Sequence, residues 1–69
     1  MKQVGRRVRI LRLAAEKTQD QLAEETGISR SFISLIEHGT HDCSVLRLWR
    51  IADVLGLPLV ELLDGEARP

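Results

Sequence analysis

The sequence predicts an all-α domain built from five short helices, and three observations carry that prediction. Apolar residues recur at three- and four-residue spacing in successive segments, as the buried stripe of a helix requires. No segment sustains the apolar/polar alternation of a half-buried strand. The segments are also punctuated by helix caps: Thr18, Ser29 and Ser44 stand where a hydroxyl can cap a helix start, and Gly27, Gly39 and Gly56 where a helix can stop.

Taken in order, the first helix is expected from Gln3 to Glu16, with Val4, Val8, Leu11 and Ala15 as its core stripe beside a set of arginines. Thr18-Gln19-Asp20-Gln21 reads as a capping box that starts the second helix, which turns Leu22 and Ala23 inward and stops at Gly27. Ile28 follows as an apolar anchor. Ser29 caps a third helix from Arg30 to about Glu37, halted by Gly39. After a polar loop over residues 38–43, Ser44 caps a fourth helix whose stripe is Val45, Leu48, Ala52 and Leu55. Pro58 suits the first position of a last helix carrying Leu59, Val60, Leu62 and Leu63, with Asp64-Gly65 closing it before a tail at residues 65–69.

Composition narrows the function classes. A chain of 69 residues can bury only about 60% of its unfolded surface, so residues 1–69 are read as a single domain. With 43% apolar and 29% charged residues it has the balance of an ordinary globular protein, and no apolar run nears the roughly 20 residues of a membrane span. Met1 is followed by a basic amphipathic segment without an apolar signal region, so a cytoplasmic location is expected. Cys43 is alone and cannot form an internal disulfide. An enzyme is not expected: there is no tyrosine, no Gly-rich phosphate loop and no nucleophile–base pairing, and little room for a pocket. No cofactor is expected either. Formal net charge is zero, yet Lys2, Arg6, Arg7, Arg9, Arg12 and Lys17 face only Glu16 in the first 17 residues. Residues 53–66 carry Asp53, Glu61, Asp64 and Glu66 without a base, so a positive and a negative end are expected, the former suited to phosphates.

Residues 19–38 are the most specific stretch. Two helices crossing steeply across a short turn need a small residue at the crossing, a glycine in the turn and apolar anchors on both inner faces. Ala23, Gly27, Ile28, Ile33 and Ile36 meet those needs in order, which leaves Arg30, Ser31, Ser34 and Leu35 pointing outward. Together with Arg9-Ile10-Leu11-Arg12, Gly39 and Ile51-Ala52-Asp53-Val54-Leu55-Gly56-Leu57-Pro58, this stretch resembles the phage-repressor and Cro type of helix-turn-helix domain, over nearly the whole chain.

That resemblance implies a compact five-helix fold, a double-stranded DNA partner and a recognition helix at residues 30–37 lying in the major groove. It implies base-facing roles for Arg30 and Ser31, with Arg30 the first choice because arginine bidentate to guanine is the commonest specific contact. Leu35 also falls at a base-facing position, as a partner for a thymine methyl or as a plain surface leucine. Gln19, at a helix start, is implied to hold a phosphate, with Ser29, Ser34, His38 and Arg9 as further phosphate contacts, Ser29 alternatively serving as a cap alone. Arg12 and Glu37 are implied to form a structural ion pair. Two departures stand out: Lys17 replaces a usual apolar residue, and the loop Thr40-His41-Asp42-Cys43 lacks basic residues, so a modest phosphate grip and a need for two protomers are expected.

The remaining residues complete the reading. His38, His41, Asp42 and Cys43 lack the paired spacing of a zinc site, so no metal is expected. Phe32 either covers the core or lies against the DNA backbone, and Trp49 is read as a core-edge residue rather than a dimer contact. Leu57, Leu59, Val60 and Leu63 offer surplus apolar surface for a homodimer interface. The expected function is a sequence-specific regulator, a repressor in type, bound to a palindromic operator. The rivals are an antitoxin-type regulator, for which the tail after residue 65 looks short, and a protein-interaction module on the same fold; a further alternative is the excised reader of a longer regulator.

Overall fold

The computed structural model describes the backbone of residues 2–67 and the side chains of residues 3–63. Its helices are α1 (Lys2–Ala14), α2 (Gln19–Thr26), α3 (Arg30–His38), α4 (Val45–Leu55) and α5 (Val60–Ala67), with no strand among the described residues. The caps act as the sequence predicts. Thr18 Oγ1 accepts from the Gln21 amide at 3.0 Å while Gln21 Oε1 accepts from the Thr18 amide at 2.8 Å, a complete capping box. Ser29 and Ser44 cap α3 and α4 by accepting from the amides of Phe32 and Arg47. The last two residues of the expected tail lie outside the described residues.

Helix α3 is central: it packs on α1 and α2, while α4 leans on α2 and α5 on α1. Val4 and Val8 of α1, Leu22 of α2, Ile33 and Ile36 of α3, Leu48 and Ile51 of α4 and Leu62 of α5 meet in one core. Each aliphatic side chain so buried contributes about 1.5–3 kcal/mol relative to exposure. The α1·α3 crossing is the tightest. A Cβ built on Gly5 would overlap the Ile36 carbonyl oxygen and sit 3.1 Å from that of Glu37, so only glycine lets the two backbones meet there. Thr26, buried at the end of α2, donates to the Leu22 carbonyl at 2.7 Å and accepts from the Ile28 amide, which stitches the turn.

Several expectations are corrected. Helix α1 ends at Ala14 rather than Glu16, because Glu16 takes a left-handed φ of 58° that no α-helix continues. Ala15 is therefore exposed and outside the stripe. On α4 the buried stripe is Leu48, Ile51, Ala52 and half-buried Leu55; Val45, 65% exposed, sits on its rim because the helix rolls Ile51 inward instead. Trp49 is 52% exposed rather than at the core edge, since it lies about one hundred degrees around the helix from Leu48. Pro58 and Leu59 form a preliminary turn, with their carbonyls accepting from Glu61 and Leu62, so α5 starts at Val60. It also runs through Asp64-Gly65 to Ala67: one glycine costs a helix about 1 kcal/mol without ending it. The expected separation of positive and negative ends does not hold throughout, because α1 packs on α5 and Arg7 donates to the carbonyl and the carboxylate of Glu61, the latter at 3.3 Å.

Candidate nucleic-acid interface

Two structural anchors set the outer face of α3. The first is the left-handed turn: Gly27, at φ 74°, returns its amide to the Ala23 carbonyl and delivers the chain to Ser29, which caps α3. The second is an ion pair. Arg12 of α1 grips Glu37 with two parallel hydrogen bonds, Nε to Oε2 at 2.6 Å and Nη2 to Oε1 at 3.0 Å. Its Nη1 donates to the Lys17 carbonyl at 2.8 Å, and Gln19 Nε2 donates to Glu37 Oε1 at 3.1 Å. The two charged side chains are 8% and 2% exposed. This bidentate, fully hydrogen-bonded pair fixes where α3 points, because a buried charge is tolerable only with its partners in place.

With Ile33 and Ile36 buried, Arg30, Ser31, Ser34 and Leu35 lie together along a shallow cleft of about 400 Å³ that Gln19 closes on one side. Arg30 and Ser31 are exposed and Ser34 and Leu35 half-buried. Arg30 Nε stands 3.2 Å from Asp20 Oδ1 in an exposed ion pair, and its two Nη groups make no bond among the described residues. Arg9 and His38 meet near Glu37 in a second cleft. The His38 ring folds back on its own helix, Nδ1–H donating to the Ser34 carbonyl at 2.7 Å. Ser29 serves as the α3 cap, and its hydroxyl donates to no described residue. The structure thus brings Gln19, Arg30, Ser31, Ser34 and Leu35 to one surface, with Arg9 and His38 along its border.

The dimer set divides. Leu59 and Leu63 are half-buried against the core, Leu57 is half-buried, and only Val60, 60% exposed, is an open apolar side chain. Cys43 faces the core while His41 and Asp42 are exposed, so these three do not converge on one point. Burial pushes the Cys43 thiol above the ordinary thiol range, a rise that nearby Arg47 opposes. Sequence reasoning missed Asp20 as a partner of Arg30, the ion pair of Lys17 with Glu25 at 2.8 Å and the stacking of Arg47 on the Phe32 ring, 4.7 Å from its centroid. All three pair residues from different elements, and no local spacing signals that.

A pair of packed helices joined by a glycine turn, with the second helix presenting its outer face from a five-helix frame, defines a helix-turn-helix domain. The helix-turn-helix family model matches residues 8–62, and the chain belongs to this family, of the phage-repressor and Cro type. It is 39% identical over 64 residues to the HTH-type transcriptional regulator SlrR of Bacillus subtilis, covering 91% of this chain and 42% of that protein. It is 33% identical over 63 residues to the immunity repressor protein of Bacillus phage phi105, covering 91% of this chain and 44% of that one. With the control protein C.BamHI of Bacillus amyloliquefaciens it shares 38% over 61 residues, 87% of this chain and 75% of that protein. The chain thus spans less than half the length of the first two relatives. Among solved structures, the restriction-modification controller protein C.AhdI from Aeromonas hydrophila superposes with a TM-score of 0.84 at 32% identity, over 87% of this chain and 91% of that one. No described helix is long and apolar enough to cross a membrane.

Proposed function

We propose that this chain is a sequence-specific transcriptional regulator, a repressor in type, that binds a palindromic operator as a homodimer in the cytoplasm and carries no catalytic activity. The observation that carries the reading is the pairing of a locked helix with a free face. The Arg12–Glu37–Gln19 network holds α3, while Arg30, Ser31, Ser34 and Leu35 remain on its outer side. Relatives named as a transcriptional regulator, an immunity repressor and a control protein support it.

In this reading Arg30 and Ser31 contact base edges and Leu35 meets a thymine methyl, whereas Gln19, Ser29, Ser34, His38 and Arg9 hold phosphates. Gln19 contributes through the Nε2 proton not given to Glu37. Asp20 lies beside Nε of Arg30 in an exposed ion pair, and the two Nη groups face guanine. The dimer forms around exposed Val60 with Leu57, Leu59 and Leu63 at its margin, spacing two recognition helices about 34 Å apart. Selection of bound fragments from random duplex DNA tests the reading. A palindromic sequence bound at least about 10³-fold tighter than random duplex is the expected result, and no enrichment at low salt contradicts it.

A further inference from the structure

A helix lying in the major groove has a phosphate wall on each side, because the groove is only about 12 Å wide. The residues of α3 that meet α1 and α2 lie along one of its flanks. Arg30 and Glu37 lean toward α2 and α1, where Asp20, Gln19 and Arg12 meet them. Phe32 is two residues from Arg30 and so turned about 200° around the helix, and it carries the opposite flank. There the neighbour is α4, whose Arg47 guanidinium stacks on the Phe32 ring. Arg50, one turn along α4, reaches the turn before α3: its Nη1 lies 3.9 Å from where a Cβ on Gly27 would stand. Arg47, Arg50 and Ser29 share a cleft of about 320 Å³. Both arginines are exposed, and neither makes an ion pair among the described residues, unlike Arg7, Arg12 and Arg30.

We propose that Arg47 and Arg50 form a second phosphate clamp, gripping the DNA backbone on the groove wall opposite Gln19. The stacking of Arg47 on Phe32 holds its planar guanidinium at the cleft, so little side-chain freedom is lost on engaging a phosphate. Arg50 lies beside the turn at Gly27, and the Ser29 hydroxyl, which donates to no described residue, gives the cleft a neutral donor. The clamp supplies from α4 the grip that the loop of Thr40, His41, Asp42 and Cys43, with no lysine or arginine, does not. It rests on the DNA-binding reading and extends the contact surface beyond α3 and its α2 flank.

The test is titration of the full chain against its selected duplex and a random duplex across a salt series. Each neutralised phosphate contributes about 0.9 to the slope of log affinity against log salt, so R47A/R50A is expected to lower that slope by about 2 per protomer. The loss should be equal on both duplexes, leaving their affinity ratio unchanged, and R47K/R50K should retain most of the slope. R50A alone, which leaves the Phe32 stacking intact, should lower it by about 1 and serves if the double variant unfolds. An unchanged slope in R50A and in R47A/R50A overturns the clamp while wild-type binding keeps the regulator reading. A wild-type chain that binds no duplex defeats that reading, and the clamp with it.

Discussion

Two arginine–carboxylate pairs flank the recognition helix, and they differ in almost everything but chemistry. Arg12–Glu37 is bidentate, shares its acceptor with Gln19 and lies at 8% and 2% exposure. Arg30–Asp20 is a single contact at 3.2 Å with its side chains 66% and 75% exposed. In the first, water is gone and each charge depends on the other. In the second, solvent screens the pair, so holding it together contributes only about 0–1 kcal/mol to stability. The contrast divides labour: the buried pair sets the helix in place, and the exposed pair keeps an arginine oriented yet available.

The largest expected effect breaks the buried side of the comparison. Arg12→Ala leaves Glu37 buried with only Gln19 as partner and should cost about 3–5 kcal/mol, comparable to a large part of the stability of so small a domain. Thermal unfolding followed by circular dichroism measures it; a loss under about 1 kcal/mol would mean that the pair is not a clamp. Gly5→Ala comes next. At an open helical position the change would help by up to about 1 kcal/mol, but against the Ile36 carbonyl it should destabilise by about 1–3 kcal/mol. Glu16→Gly runs the other way, relieving a left-handed residue worth about 1–2 kcal/mol, offset in part by the flexibility glycine adds to the unfolded chain; a rise in midpoint temperature is the result to look for.

Smaller effects sharpen the exposed side. Asp20→Asn should leave stability within about 1 kcal/mol while binding to random duplex rises, because one negative charge near the backbone is removed. The ratio of selected to random affinity should fall, and an unchanged ratio would show that Asp20 does not steady Arg30. Cys43 gives the mildest signal. Its thiol is raised by burial, so the folded state holds that proton more firmly than the unfolded chain does. Its contribution is whole below the ordinary thiol range and is lost as pH rises through and beyond it. Cys43→Ala should therefore flatten the alkaline end of the stability profile in urea titrations.

Much of this architecture was readable residue by residue. Caps and stops are local chemistry, so Thr18, Ser29, Ser44, Gly27, Gly39 and Gly56 mark their boundaries in sequence as in structure. The Arg12–Glu37 pair was readable only through family resemblance, since 25 residues separate the partners. The need for glycine at position 5 leaves no local mark, because its reason lies in the backbone of α3. Val45 and Ile51 both fit a helical stripe on α4, and only packing against α1 and α2 decides which turns inward. Arg47 and Arg50 carry no local signal, because the groups beside them, Phe32 and Gly27, come from other elements.

If stability resides in one arginine pair and recognition in the other, Arg30→Ala separates the two. Its midpoint temperature should stay within a few degrees of wild type, as for an exposed pair in a domain of this size, while discrimination between selected and random duplex is lost. A variant that unfolds many degrees earlier yet keeps its affinity ratio would contradict it.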